Sequence, residues 1–280
     1  MAKGVSLHIG LNSVDPKQYG GWDGKLTACE ADALAMNKLA HASGVVQSSV
    51  LLTKQATSIA VLAAIGRIAQ QLVAGDLFFL TYSGHGGQMD DVTGDEPDGI
   101  DETWVLYDRQ LLDDELYSMW SKFASGVRII VLSDSCHSGT VTRRLEDLLP
   151  QAQLQTPAGA AVPREIPREI AAQDAVVRAA LYQSIQWTSK KGPDDIKATV
   201  LLISGCQDNQ LSLDGEQNGL FTATLLQVWN DGQFHGSYAD LHQQIVSRMP
   251  VSQQPNFFRV GATNQAFERQ RPFNPNLTIS

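Results

Sequence analysis

The sequence predicts an α/β fold, with a mostly parallel sheet and helices on both of its faces. Three observations carry this. Short strand-like apolar runs recur at Val5–Gly10, Ser49–Thr53, Leu77–Tyr82, Val127–Leu132 and Val200–Ile203. Segments with apolar residues at helical spacing lie between them. The Leu77–Tyr82 run is almost continuously apolar, as a strand covered on both faces must be. Strands that alternate with helices pair in parallel, because each crossover brings the chain back to the same end of the sheet.

The elements follow in order. Val5–Gly10 is the opening strand. Ala28–Ala42 spaces Ala31, Leu34, Ala35 and Leu39 as one helical face, and Gly44 supplies the stop. Thr57 or Ser58 opens a helix to about Val73, punctuated by Gly75-Asp76. A helix near Asp113–Phe123 precedes the Val127–Leu132 strand, and helices near Leu220–Trp229 and Tyr238–Met249 follow Val200–Ile203. One stretch breaks the rhythm. Thr140 to Asp195 holds five of the eleven prolines and the near-repeat Pro163-Arg164-Glu165-Ile166-Pro167-Arg168-Glu169-Ile170. It reads as an inserted flexible linker carrying one amphipathic helix, about Ile170–Trp187.

At 43% hydrophobic and 18% charged, 280 residues can bury a sizeable core and are not disordered material. No run approaches the roughly 18 apolar residues of a membrane span, and no leader is visible, which makes the cytoplasm the expected location. A net charge of −9 argues against nucleic acid as a partner. That charge is concentrated: eleven acidic residues lie between Met89 and Glu115, opposed only by Arg109. Such a run is either a solvated loop or a site for a divalent cation or a basic substrate. The three cysteines, Cys29, Cys136 and Cys206, are too few for a disulfide framework.

In open parallel sheets, sites form beyond the carboxyl ends of the strands. Leu77–Tyr82 runs into Ser83-Gly84-His85-Gly86-Gly87, and Val127–Leu132 into Ser133-Asp134-Ser135-Cys136-His137-Ser138-Gly139. If the two strands are neighbours, His85 and Cys136 emerge at one edge. The imidazole can then take the thiol's proton, and the glycines leave N–H groups free to hold an oxyanion.

Those two segments resemble the metacaspase branch of the caspase-like cysteine peptidases. The His precedes the Cys by 51 residues, near the spacing of about 50 seen in caspases. The resemblance also takes in Cys29-Glu30-Ala31-Asp32-Ala33, the Gly94–Thr103 loop, Asp113-Asp114-Glu115-Leu116 and Ile203–Gln210, and so covers most of residues 3–140 and 197–250. It implies a caspase-like three-layer α/β/α sandwich with a mostly parallel sheet of about six strands. Residues 1–280 would form one domain: a large-subunit-like part (1–140), the insertion (141–196) and a small-subunit-like part (197–280).

The resemblance further implies an endopeptidase that cuts after Arg or Lys, with Cys136 as nucleophile and His85 as its base. The N–H groups of Gly86 and Cys136 would form the oxyanion hole. Cys29, Asp32, Ser83 and Asp134 would line the pocket for the basic side chain. No cofactor is required, although many relatives bind calcium at positions matching Asp101, Asp113 and Asp114; a further aspartate of that pattern is Arg143 here. Relatives often cut themselves between the two parts after a basic residue, and Arg143-Arg144, Arg164, Arg168, Arg178 and Lys190-Lys191 are available. The expected partner is a peptide or protein substrate, with neither nucleic acid nor membrane. The competing readings are a regulatory scaffold on the same fold, a Cys-dependent amidase or transpeptidase, and a zinc site. The last lacks any paired Cys or His spacing.

Overall fold

A computed structural model describes residues 2–94, 99–135, 162–189, 195–206 and 217–276, with short stretches at 155–156, 159–160, 191, 210 and 212–215. The strands are β1 (Gly4–Gly10), β2 (Gln47–Leu52), β3 (Leu77–Ser83), β4 (Gly86–Asp90), β5 (Ile100–Val105), β6 (Gln110–Leu112), β7 (Arg128–Asp134), β8 (Gln155–Thr156), β9 (Gly159–Ala160), β10 (Thr199–Ser204) and β11 (Asn256–Gly261). The helices are α1 (Cys29–Ala42), α2 (Ser58–Gln71), α3 (Asp113–Trp120), α4 (Arg168–Val177), α5 (Ala179–Ser189), α6 (Leu220–Trp229), α7 (Tyr238–Val246) and α8 (Gln265–Arg269). None of these helices is long and apolar enough to cross a membrane.

Six strands form the central sheet in the order β11-β10-β7-β3-β1-β2, parallel except for β11 at one edge. β1, β3 and β7 are buried along their whole length, which is why their sequences are so uniformly apolar. Two separate apolar clusters cover the sheet. One holds Ile65, Phe78, Trp120 and Phe123 with α2 and α3; the other holds Phe79, Phe221, Tyr238 and Phe273 with α1, α6 and α7. This is the expected α/β/α sandwich.

Two features depart from the sequence reading. The acidic segment is no mere solvated loop: β4, β5 and β6 form a three-stranded antiparallel sheet, with Asp101, Asp114 and Glu115 buried. The insertion carries two helices and not one, since the backbone leaves helical geometry at Arg178. Its described part is docked and not a flexible linker. Tyr182 donates to Asp174 at 2.6 Å, Gln110 donates to the same carboxylate at 2.9 Å, and Gln186 donates to Asp101.

Candidate active site

The sheet register brings the chemistry together. Ser83 and Asp134 are Cα partners at the carboxyl ends of β3 and β7, and Gly10 of β1 lies on the other side of Ser83. The first turn of α1 adds Asp32, whose carboxylate accepts from the Ser83 hydroxyl at 2.7 Å. The adjacency of the two strands, which the sequence could only suppose, therefore holds.

His85 follows β3 and is buried. Its Nε2 lies 3.0 Å from the Gly24 carbonyl oxygen, which can only accept. Nε2 therefore carries the proton, and Nδ1 is the bare nitrogen, with no hydrogen-bond partner among the described residues. Burial lowers the pKa to about 4, against a rise from the Gly24 contact, so the ring is neutral at neutral pH. The main chain is also fixed: the His85 carbonyl accepts from Tyr82 Oη at 2.6 Å and from Val105 N at 2.9 Å. Cys136 lies outside the described residues, as do Arg143, Arg144 and Lys190. Asp134 and Ser135, just ahead of Cys136, are buried, and Ser135 accepts from Cys206 Sγ at 3.4 Å.

Beside His85 is a closed anionic cage, and it is occupied by Arg164 from the insertion. The guanidinium is fully buried. Nη2 lies 2.8 Å from Asp32 Oδ2 and 2.9 Å from Asp214 Oδ1; Nη1 lies 2.9 Å from Asp134 Oδ2 and 2.9 Å from Ser83 Oγ. Three carboxylates around one cation are sustainable only because each is held by further donors. Asn218 and the Gly219 N–H hold Asp32 at 2.8 and 3.1 Å. Ser212 and Thr222 hydroxyls hold Asp134, each at 2.7 Å. Thr27 holds Asp214 through its N–H at 2.7 Å and its hydroxyl at 2.8 Å. Against the desolvation that burial imposes, Asp134, Asp32 and Asp214 hold the Arg164 pKa well above the usual value, so it is charged. Arg164 overcomes the desolvation of Asp214 and holds its carboxyl below the usual range.

Thus Asp32, Ser83 and Asp134 meet around one cation, and Asp134 also caps α6 through Thr222 N. Cys29 is buried and its thiol is pushed up to about 12 by burial, which suits a wall residue and not a nucleophile. Sequence reasoning missed Asp214 and Gly219. A Cβ on Gly219 would come within 2.5 Å of Arg164 Nη1, so the missing side chain is part of the cavity's shape. Neither residue carried a signal: Ser212-Leu213-Asp214-Gly215 is an unpatterned loop.

Of the residues expected to hold calcium, Asp113 and Asp114 open α3, with Asp114 buried. Among the described residues no group of three or more His, Cys, Asp or Glu is placed to hold a metal ion. Asp101 is buried under α5, and Gln186 donates to it.

Residues 13–267 match the caspase domain family model. The chain is 33% identical over 171 residues to Metacaspase-1 of Schizosaccharomyces pombe, covering 54% of this chain and 40% of that protein. It is 28% identical over 250 residues to Metacaspase-1A of Aspergillus fumigatus, covering 80% and 59% respectively. The chain thus spans between 40% and 59% of the length of these fungal relatives. A crystal structure of protein GSU0716 from Geobacter sulfurreducens is 50% identical, with a TM-score of 0.87, over 98% of this chain and 99% of that one. Caspase-1 of Spodoptera frugiperda shares the fold at 10% identity, with a TM-score of 0.57, over 93% and 86%.

Proposed function

Since this chain belongs to the caspase domain family of cysteine peptidases, we propose that it is an endopeptidase that cuts peptide bonds after Arg or Lys, using Cys136 and His85. The observation that carries the reading is the cage of Asp32, Asp134 and Asp214 closed on a guanidinium beside the bare Nδ1 of His85. A substrate's basic side chain would take the place that Arg164 holds, and an acidic one would be repelled by the same three carboxylates. Arg suits the cage better than Lys, because its planar fork bridges several carboxylates at once.

His85 Nδ1 accepts the thiol proton, Cys136 attacks the carbonyl carbon, and Gly86 N–H stabilises the oxyanion together with the N–H of Cys136. His85 then protonates the leaving amine, and water releases the acyl group. In this reading residues 1–280 act as one domain, with 1–140 and 197–280 as its large- and small-subunit-like parts and 141–196 inserted between them, and the enzyme acts on peptide or protein substrates in the cytoplasm.

The test is hydrolysis of fluorogenic peptides ending in Arg, Lys or Asp, with EDTA and then with calcium, beside Cys136→Ala. Cleavage after Arg and Lys that is lost in the variant is the expected result. Cleavage after Asp would overturn the pocket assignment.

A further inference from the structure

The cage accounts for the Arg164 side chain but not for the residues that follow it. The Arg164 carbonyl oxygen accepts from Gly86 N at 3.0 Å, the N–H assigned to the oxyanion hole. Ile166 N donates to Gly86 O at 2.9 Å, which pairs Glu165 with Gly86 as neighbouring strands pair. Two residues beyond Arg164, the Ile166 side chain turns into the protein and is only 3% exposed. It packs with Val14, Tyr19 and Val105, and Trp22 borders them; this small cluster is separate from the two that cover the central sheet.

The glycine after Gly86 shapes that recess. A Cβ on Gly87 would come within 2.7 Å of Ile166 Cγ2, so the missing side chain is the space that Ile166 fills. The nearest polar atoms, Gln110 Oε1 and Thr103 Oγ1, are hydrogen-bonded to each other at 2.8 Å, which leaves the lining apolar. The walls are fixed from behind. Tyr19 Oη donates to Leu106 O at 2.8 Å, Val14 N to Asp23 O at 2.8 Å, and Val105 N to His85 O at 2.9 Å. All of them come from residues 14–105, outside the segment that they enclose. A cavity of about 600 Å³, bordered by Trp22, His85, Glu165, Ile166 and Pro167, gives a bound chain room to continue past the recess. From this placement we infer that Gly87, Val14, Tyr19 and Val105 form a second specificity pocket, which takes a branched aliphatic side chain two residues after the bond that the enzyme cuts. The inference rests on the peptidase reading above, which puts Arg in the cage and the scissile carbonyl at Gly86 N. An apolar pocket discriminates against each missing methylene, and an acidic side chain there would be stripped of water among apolar walls.

The experiment measures kcat/KM of the full-length protein on internally quenched peptides that share Val-Pro-Arg-Glu-Xaa, with Ile, Val, Ala or Asp as Xaa. A fluorogenic Arg amide that ends at the cut bond is run beside them. A competitor in the cleft divides kcat/KM for every peptide by the same factor, so the ratios stand wherever Arg164 lies. Ile and Val should exceed Ala by about tenfold or more, and Asp should fall below Ala. Gly87→Ala should bring the Ile-to-Ala ratio down to about twofold or less, because its Cβ takes the side chain's space. Val14→Ala opens a wall and leaves Gly87 in place; it should shrink the ratio by about threefold or more, and it stands in where Gly87→Ala fails to fold. A ratio below about twofold on the unmodified protein, or one that both variants leave unchanged, overturns the pocket alone. Silence towards every peptide and towards the Arg amide overturns the peptidase reading, and the pocket with it.

Discussion

Replacing Asp214 by Asn in an Arg164→Ala background should lower kcat/KM for an Arg peptide by about thirtyfold, and for a Lys peptide by less. Asp214 Oδ1 lies 2.9 Å from Arg164 Nη2, which it shares with Asp32 at 2.8 Å. Opposite unit charges at that range attract by about 6 kcal/mol at an effective permittivity of about 20. The amide keeps Oδ1 for the guanidinium, its NH2 replaces the oxygen that accepts from Thr27, and Asp32 and Asp134 remain. Charge-assisted hydrogen bonds are roughly twice as strong as neutral ones, so the loss should be about 2 kcal/mol. That is roughly thirtyfold. A compact ammonium on a single stem cannot bridge Asp32, Asp134 and Asp214 together, so Lys depends less on any one of them. Initial rates on matched Arg and Lys peptides at neutral pH read this directly, with thermal melting as the check on folding. A loss below about twofold, or an equal loss for both peptides, refutes the three-carboxylate account, since twofold is only about 0.4 kcal/mol.

In the Arg164→Ala background, Gly219→Ala should abolish hydrolysis after Arg while leaving the melting temperature near that of the single variant. The new Cβ fills guanidinium space, and the backbone at φ −59° tolerates any residue. Tyr82→Phe removes the donor to His85 O at 2.6 Å and Val105 O at 3.1 Å. Urea unfolding should show a loss of about 1–2 kcal/mol, and kcat should fall more than KM rises as His85 loosens. Acid should destabilise the fold early. Burial lowers His8 to about 3 and His85 to about 4, from 6.5. Between those values the unfolded chain binds protons that the fold refuses, so stability is full above pH 6.5 and falls as pH drops toward 4. The two rings should each cost about 2–3 kcal/mol by pH 4.5; urea midpoints that stay flat from pH 7 to 4.5 would contradict this.

The sheet was legible because burial on two faces writes itself into composition: β3 and β7 are apolar runs that end in polar motifs, and both strand ends carry site residues. The antiparallel β4–β5–β6 sheet was not. Its acidic side chains mask a pairing that tertiary contacts, such as Gln186 with Asp101, support. Arg178 gives no breaker signal, so α4 and α5 read as one helix. Asp214 joins the site through contacts with Thr27 and Ala28, 187 and 186 residues away in sequence. Arg164 is the sharpest case. Pro-Arg-Glu-Ile occurs twice in succession, yet the first Arg is caged by carboxylates and the second starts a helix. Identical local sequence cannot separate these fates; only the fold around each copy can.

Because Arg164 is carried on the same chain as its cage, the competition it sets up is intramolecular. A ligand so tethered faces its pocket at an effective concentration on the order of millimolar, whatever the dilution of the protein. A free Arg peptide with micromolar affinity must displace a rival that never diffuses away. Active-site titration of uncut protein should therefore count fewer sites than chains, and the shortfall should close only as the displacing peptide is raised well beyond its own Kd.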